Sequence, residues 1–449
     1  MSLDESALPQ LNVSTASPVL VVIGAGPKAA ALAAKARVLR ELGLGEVRII
    51  VVERTNKVAA NWRGGFGFTD GQNELCTPPE KDIGFPYNSR YGSKVDMEML
   101  RYSWQASLIE TTTYSDWVDR GRRLPRLEKW ANYVQWALAN GEPEEIVNET
   151  VVESVEPSGT KLIVHARRRE IKRDFEADGV VLTGPGDPIR IKDSPDADGL
   201  IFNGKNYWTY VDIFEKMQRG KVAVIGGGGT AASIVLSLLQ RAKAVDIQII
   251  NPRSSMFIRG ESVREKRLLC NSAEWLKLDE YRRLEFIKRT DRGVFPVAAQ
   301  RLFDEAEKLE IISGEVLALE HVGDKIIVRF KYGDPPRDME YEYDRVIVAL
   351  GFDPFSSLSM ITEPFRPKAE TDAERLEIQR NVDEYLRLPF ESVKGLVGPP
   401  PNVHVPMLAG LAQGPGFPNL TCLGQLSDRI LSLYVPPPEP SRRRRIKAK

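Results

Sequence analysis

The sequence predicts an α/β protein with two Rossmann-like dinucleotide-binding domains, one inserted within the other. Three observations support this. An apolar run from Pro18 to Ile23 leads into the tight turn Gly24 to Pro27. An alanine-rich stretch from Lys28 to Leu42 follows, then a second apolar run from Arg48 to Glu53, the pattern of strand, turn, helix and strand. The plan returns at Lys221 to Ile225, Gly226 to Gly229, Thr230 to Gln240 and Asp246 to Asn251. Finally, Asp178-Gly-Val-Val-Leu-Thr-Gly-Pro-Gly-Asp-Pro188 parallels Asp344-Arg-Val-Ile-Val-Ala-Leu-Gly-Phe-Asp-Pro354, each reading as a buried strand that ends in a Gly/Pro turn.

These echoing strands are where the chain is expected to cross between domains. The first fold then takes residues 1–187, the insert 188–354, a return to the first fold 355–440 and a basic tail 441–449. A chain of 449 residues suits this plan, because single cores stop growing near roughly 250–300 residues. Charge balance, 62 basic against 62 acidic residues, leaves no global field to attract nucleic acid or an anionic membrane. Cys76, Cys270 and Cys422 form no CxxC pair and read as buried small hydrophobes. His165, His321 and His404 are too scattered for a metal site, so no metal is expected. No apolar run approaches the roughly 20 residues of a membrane span, and the N-terminus lacks a basic region followed by an apolar core, which makes the cytoplasm the expected location. Trp104, Trp117, Trp130 and Trp136 fall at helical spacing and read as core packing.

Gly24-Ala-Gly26-Pro27-Lys28-Ala29 is GxGxxA: Gly24 makes the turn, Gly26 lets a pyrophosphate approach the backbone, and the helix N-terminus favours negative charge. Glu53, at the end of the next strand, is placed for ribose hydroxyls. Gly226-Gly-Gly228-Gly-Thr230-Ala231 repeats the device. Its second strand instead ends in Asn251-Pro-Arg253-Ser254-Ser255, where Arg253 would pair with a 2′-phosphate that a carboxylate repels. An acid-ended site and a base-ended site suit FAD and NADPH, hence an FAD domain with an inserted NADPH domain. Without CxxC, a disulfide reductase is disfavoured and an oxygen-using flavoprotein is expected. The FxGxxxH fingerprint of Baeyer-Villiger and flavin-containing monooxygenases is broken in Phe202-Asn-Gly204-Lys-Asn-Tyr-Trp208, where tryptophan replaces histidine.

The chain resembles, nearly end to end, the flavin-dependent N-hydroxylating monooxygenases of siderophore biosynthesis, most closely the mycobactin-type lysine N6-hydroxylases. The strings that carry the resemblance include Gly24 to Ala30, Asn61-Trp62, Phe68-Thr-Asp-Gly71, Thr77 to Tyr87, Arg101-Tyr-Ser-Trp-Gln105, Gly226 to Ser233, Thr290 to Phe295, Gln413 to Leu420 and Leu426 to Ser432. The resemblance implies that NADPH reduces FAD, that oxygen adds to give a C4a-hydroperoxyflavin, and that a neutral side-chain amine attacks it to become a hydroxylamine. No side chain is then a catalytic group in its own right. The substrates are a small amine, lysine first and ornithine or another amine next, and O2. It further implies a homo-oligomer, a tetramer or dimer. Asn61, Trp62, Gly424 and Ser427 would contact cofactor, and Lys81 would receive the substrate carboxylate. Asn271 and Leu426 would lie at the substrate. Glu80 and Asp82 flank Lys81 as possible ion-pair partners. Lys266 stands where the family carries an asparagine, and a second cation there favours a carboxylate over an α-ammonium. Alternatives are an uncoupled NADPH oxidase and a non-enzymatic redox-sensing or assembly module.

Overall fold

Val19–Ile23 and Arg48–Val52 are almost wholly branched aliphatic residues, which demand cover on both faces, and both lie inside a five-stranded parallel sheet. The computed structural model describes residues 17–438 apart from 66, 68, 254, 258–261, 291–296, 364 and 390–401. Ser254, the basic tail, Phe68 and most of the Thr290 to Phe295 string therefore lie outside the described residues. The first sheet runs in the order Val403–His404, Gly179–Leu182, Val19–Ile23, Arg48–Val52, Glu145–Val147, all parallel. The second runs Leu309–Ser313, Asp246–Asn251, Lys221–Ile225, Arg345–Val348, Ile201–Asn203, again all parallel. The chain thus leaves the first sheet after Leu182, builds the second, and returns to the first at Val403. Its two crossings pair with each other, Asp187–Pro188 antiparallel to Phe352–Asp353.

Each sheet carries a three-stranded antiparallel meander, residues 151–177 and 315–343, locked to its sheet by the same device. The Asp178 carboxylate meets Lys161 Nζ at 2.5 Å and accepts from Val19 N–H at 2.8 Å. Asp344 meets Lys325 at 2.5 Å and accepts from Lys221 N–H at 2.7 Å. In both folds an aspartate at the head of the returning strand thereby fixes the start of the first strand.

The helix Pro27–Glu41 buries Ala29, Ala30, Ala31, Ala33, Ala34 and Ala36, small side chains that let it pack between the helices Leu127–Asn140 and Leu423–Leu431. Lys35 on this helix is 1% exposed and bonds Asp428 at 2.6 Å. Asp428 also accepts from Ser89 Oγ at 2.8 Å and Arg90 N–H at 3.1 Å. The tryptophan segment is core as expected: Trp104 and Trp130 are buried, their rings 6.1 Å apart, with Tyr133 4.9 Å from Trp130. The cysteines part ways, Cys422 buried, Cys270 half-buried and Cys76 exposed, so the reading of all three as buried is corrected. His404 is sealed in the core between Tyr385 O and Tyr434 Oη, and burial pushes its imidazole down to about 4, leaving it neutral at pH 7. No helix among the described residues is long and apolar enough to cross a membrane.

Candidate active site

At the first strand–helix turn Gly24 adopts φ +106° and donates its N–H to Val52 O at 2.8 Å. A Cβ there would lie 2.4 Å from Thr183 Oγ1, so both conformation and space require glycine. Gly26 caps the helix Pro27–Glu41 in extended conformation, and Pro27 has no N–H to satisfy in the first turn. The buried Glu53 carboxylate braces the turn: one oxygen accepts from Ala25 N–H at 2.9 Å, the other from Thr55 N–H at 2.8 Å and Thr55 Oγ1 at 2.9 Å. Lys28 Nζ donates to Thr183 O at 3.3 Å and Pro418 O at 3.2 Å, and burial pulls its ammonium down to about 8.

Gly24, Gly26, Pro27, Lys28, Glu53, Asn61 and Trp62 all line one cavity of about 420 Å³. Opposite them stand Gly184–Asp187, Met360, Met407 and Pro418–Leu420, so the Gly/Pro segment near the C-terminus also reaches this space. Turn amides and a carboxylate sit together with the apolar bodies of Trp62, Met360, Met407 and Leu420. This set fits a dinucleotide that carries an aromatic ring system.

The second turn copies the first. Gly226 N–H donates to Ile250 O at 2.9 Å, and Gly228, extended, caps the helix Gly229–Arg241, in whose first turn Thr230 is half-buried. Register identifies the counterpart of Glu53: Ile23 pairs with Val52 and Ile225 with Ile250, so the next residue is Glu53 in one sheet and Asn251 in the other. Arg253 stands two residues on, at the place of Thr55, and is exposed. Sequence reasoning fastened on Arg253 and Ser254 and passed over Asn251. Counting the register from Val19 and Lys221 would have found it.

Lys81 is half-buried, with Nζ 5.7 Å from the centre of the Phe85 ring. Asp82, proposed as its ion-pair partner, is committed to the loop itself: Oδ1 accepts from Gly84 N–H at 3.1 Å and Tyr87 Oη at 2.8 Å, Oδ2 from Trp104 N–H at 3.0 Å. The C-terminal helix closes on this loop, Gly424 N–H donating to Phe85 O at 2.8 Å. Three residues expected at cofactor or substrate are built into the packing of this helix. Leu426 is 0% exposed within the core, Ser427 Oγ donates to Gly424 O at 3.0 Å, and Gly424 backs onto the Gly84–Phe85 backbone. None of the three lines the cavity, because the amphipathic helix turns this face inward. Lys266 is exposed on the helix Val263–Cys270. Asn271 caps the next helical turn, its Oδ1 accepting from Glu274 N–H at 3.2 Å. Neither borders the cavity, although the same segment is tied to the C-terminal part by Trp275 Nε1 donating to Leu411 O at 3.0 Å.

Burial raises the Asp82 carboxyl from 3.8 to about 6. The folded chain therefore binds this proton more tightly than the unfolded chain, and the associated stability is present at low pH and lost as pH rises through about 6. A shift of this size corresponds to about 3 kcal/mol. Asp82→Asn carries a penalty of its own where Nδ2 meets Trp104 N–H. Even so, the difference in stability between wild type and variant is expected to change by about 2 kcal/mol between pH 4 and pH 7, most of the full shift. Unfolding curves at both pH values that differ by a constant amount would refute the assignment.

Residues 19–354 match the family described as L-lysine 6-monooxygenase/L-ornithine 5-monooxygenase. The chain belongs to this family. It is 34% identical over 433 residues to the L-lysine N6-monooxygenase MbtG of Mycolicibacterium paratuberculosis, covering 95% of this chain and 98% of the relative. It is 36% identical over 423 residues to MbtG of Mycobacterium sp. strain MCS, covering 92% and 94%. Among solved structures, the lysine monooxygenase NbtG from Nocardia farcinica superposes with a TM-score of 0.76 at 32% identity, covering 92% of this chain and 99% of that one. As a member of the lysine/ornithine monooxygenase family the chain is an oxidoreductase, and its two parallel-sheet folds are the family's architecture.

Proposed function

We propose that the chain is an FAD- and NADPH-dependent monooxygenase that hydroxylates the side-chain amine of L-lysine, converting lysine, NADPH, H⁺ and O2 into N6-hydroxylysine, NADP⁺ and water. The observation that carries this reading is the pair of glycine-rich turns in one chain whose second strands end differently, Glu53 in the first and Asn251 and Arg253 in the second. The named relatives support lysine over ornithine.

In this reading the Gly24–Lys28 turn, Glu53, Asn61 and Trp62 hold FAD, while Gly226, Gly228, Thr230, Arg253 and Ser254 hold NADPH. FAD, reduced by NADPH, supplies the activation of oxygen. The protein binds, orients and keeps water out. Lys81, carried by the loop that Asp82 ties down, receives the substrate carboxylate. Apolar walls at Trp62, Met360, Met407 and Leu420 exclude water and favour the neutral form of an incoming amine by disfavouring the ammonium. The domain boundaries after residues 187 and 354, and a homo-oligomer, complete the proposal.

FAD-loaded protein is to be incubated with NADPH and O2 against lysine, ornithine, a simple diamine and a dicarboxylic amino acid. Hydroxylated product, NADPH loss and peroxide are then measured together. Product is expected to match NADPH loss with lysine. One methylene of pocket length should separate lysine from ornithine by about 10- to 200-fold in kcat/KM. NADPH loss that ends as peroxide with every amine would instead establish the uncoupled oxidase.

A further inference from the structure

The second nucleotide turn contains a donor without an acceptor. Asn251 is 3% exposed, and its Oδ1 accepts from Arg253 N–H at 2.9 Å, which settles the orientation of the amide. Nδ2 is consequently turned toward the glycine-rich turn: a Cβ built on Gly227 would lie 3.4 Å from Nδ2 and 3.3 Å from Cγ. This nitrogen is buried and has no hydrogen-bond partner. Buried polar groups are nearly always paired, and leaving one unpaired is destabilising.

The first fold shows what the arrangement replaces. There Glu53 uses one oxygen on the residue two positions ahead, Thr55, and the other on the turn amide of Ala25. In the second fold Asn251 uses its oxygen on the residue two positions ahead, Arg253, in the same way. The atom facing the turn is then NH2, which cannot accept from it. The second site therefore presents donors where the first is closed by a carboxylate, at the N-terminus of a 13-residue helix.

We infer that Asn251 sets the nucleotide preference of the second site: it presents amide hydrogens rather than a negative charge to the nucleotide turn, selecting a 2′-phosphorylated dinucleotide over its unphosphorylated counterpart. The inference rests on the NADPH reading of that site and assigns the discrimination to a residue distinct from Arg253. Arg253 attracts the phosphate from an exposed position, whereas Asn251 removes the buried acid that would reject it and admit a ribose diol.

The test is calorimetric titration of the FAD-loaded full chain with NADP⁺ and with NAD⁺, for wild type, Asn251→Asp and Asn251→Ala, with FAD content and melting temperature recorded for each. Wild type is expected to bind NADP⁺ more tightly. In Asn251→Asp the ratio of NADP⁺ to NAD⁺ affinity is expected to fall by more than about tenfold, since a like charge placed against the phosphate costs several kcal/mol. Asn251→Ala, which lacks both donor and acid, is expected to fall between the two. An Asn251→Asp variant that loads FAD normally and keeps the wild-type ratio, even if both affinities drop together, overturns the inference alone and leaves Asn251 a structural residue. Wild-type protein that binds NAD⁺ as tightly as NADP⁺ overturns the NADPH reading and this inference with it.

Discussion

Asp428→Ala is expected to destabilise the first nucleotide fold by about 3–5 kcal/mol, the cost of leaving one member of a buried ion pair without its partner. Lys35 and Asp428 are both nearly inaccessible and 2.6 Å apart, and the carboxylate also holds Ser89 Oγ and Arg90 N–H. Its removal strands a lysine in an alanine-packed helix and releases the segment that follows the Lys81 loop. A chain of two folds need not unfold in a single transition, so the loss is best followed by flavin release, which on the proposed reading reports the first fold. The double variant Lys35→Met, Asp428→Leu should recover the part of the loss that comes from the stranded charge, because replacing both charges with apolar groups is often neutral, but not the part that comes from Ser89 Oγ and Arg90 N–H losing their acceptor. A single variant that shifts the transition by less than about 1 kcal/mol would show that the pair is solvated in solution.

Gly424→Ala is expected to leave FAD bound while lowering kcat/KM for lysine by about 100-fold, with NADPH oxidation diverted to peroxide, as a displacement near 1 Å at a reacting site can do. The added Cβ would sit 2.1 Å from Gly84 O, 2.6 Å from Gly84 C and 2.8 Å from Phe85 O, all backbone atoms of the loop that carries Lys81 and Asp82. None is the free end of a side chain that could swing aside, so the loop itself must move. Gly424 was singled out in the sequence as a cofactor contact, and the structure adds a packing reason for its smallness. A variant with wild-type coupling and kcat/KM would refute this account.

The parts of the molecule legible in the sequence were those written in local patterns. Lys221–Ile225 and Asp246–Asn251 begin and end where the apolar runs do, and Arg48–Val52 falls one residue short of the expected span. Glycine turns and buried strands leave such marks because backbone sterics and burial act within a few residues. The residues around the first turn come together for the same reason. What escaped were pairings between distant residues. Nothing near Lys35 reveals that its partner is Asp428, and nothing near Asp82 reveals that Trp104 N–H will reach it. The burial of Leu426 and Ser427 was equally hidden, because a motif string does not say which face of its helix turns inward. The repeated Lys-Asp lock, Lys161 with Asp178 and Lys325 with Asp344, was half visible. The aspartates lay in the echoing segments, but the lysines sit on strands of the meanders, whose alternation went unread.

The antiparallel crossing of Asp187–Pro188 with Phe352–Asp353 also changes the polymer statistics of the chain. Seating Val403–His404 beside Gly179–Leu182 closes a loop of about 220 residues in an otherwise unstructured chain. Once the insert has folded and its two ends are zipped, the path between the same points shortens to about 57 residues. Two halvings of loop length lower the closure cost by about 1.2 kcal/mol. The insert thus acts as a staple for its host: the domain that begins first along the chain is completed last, and with a smaller entropic penalty because the interruption has already condensed.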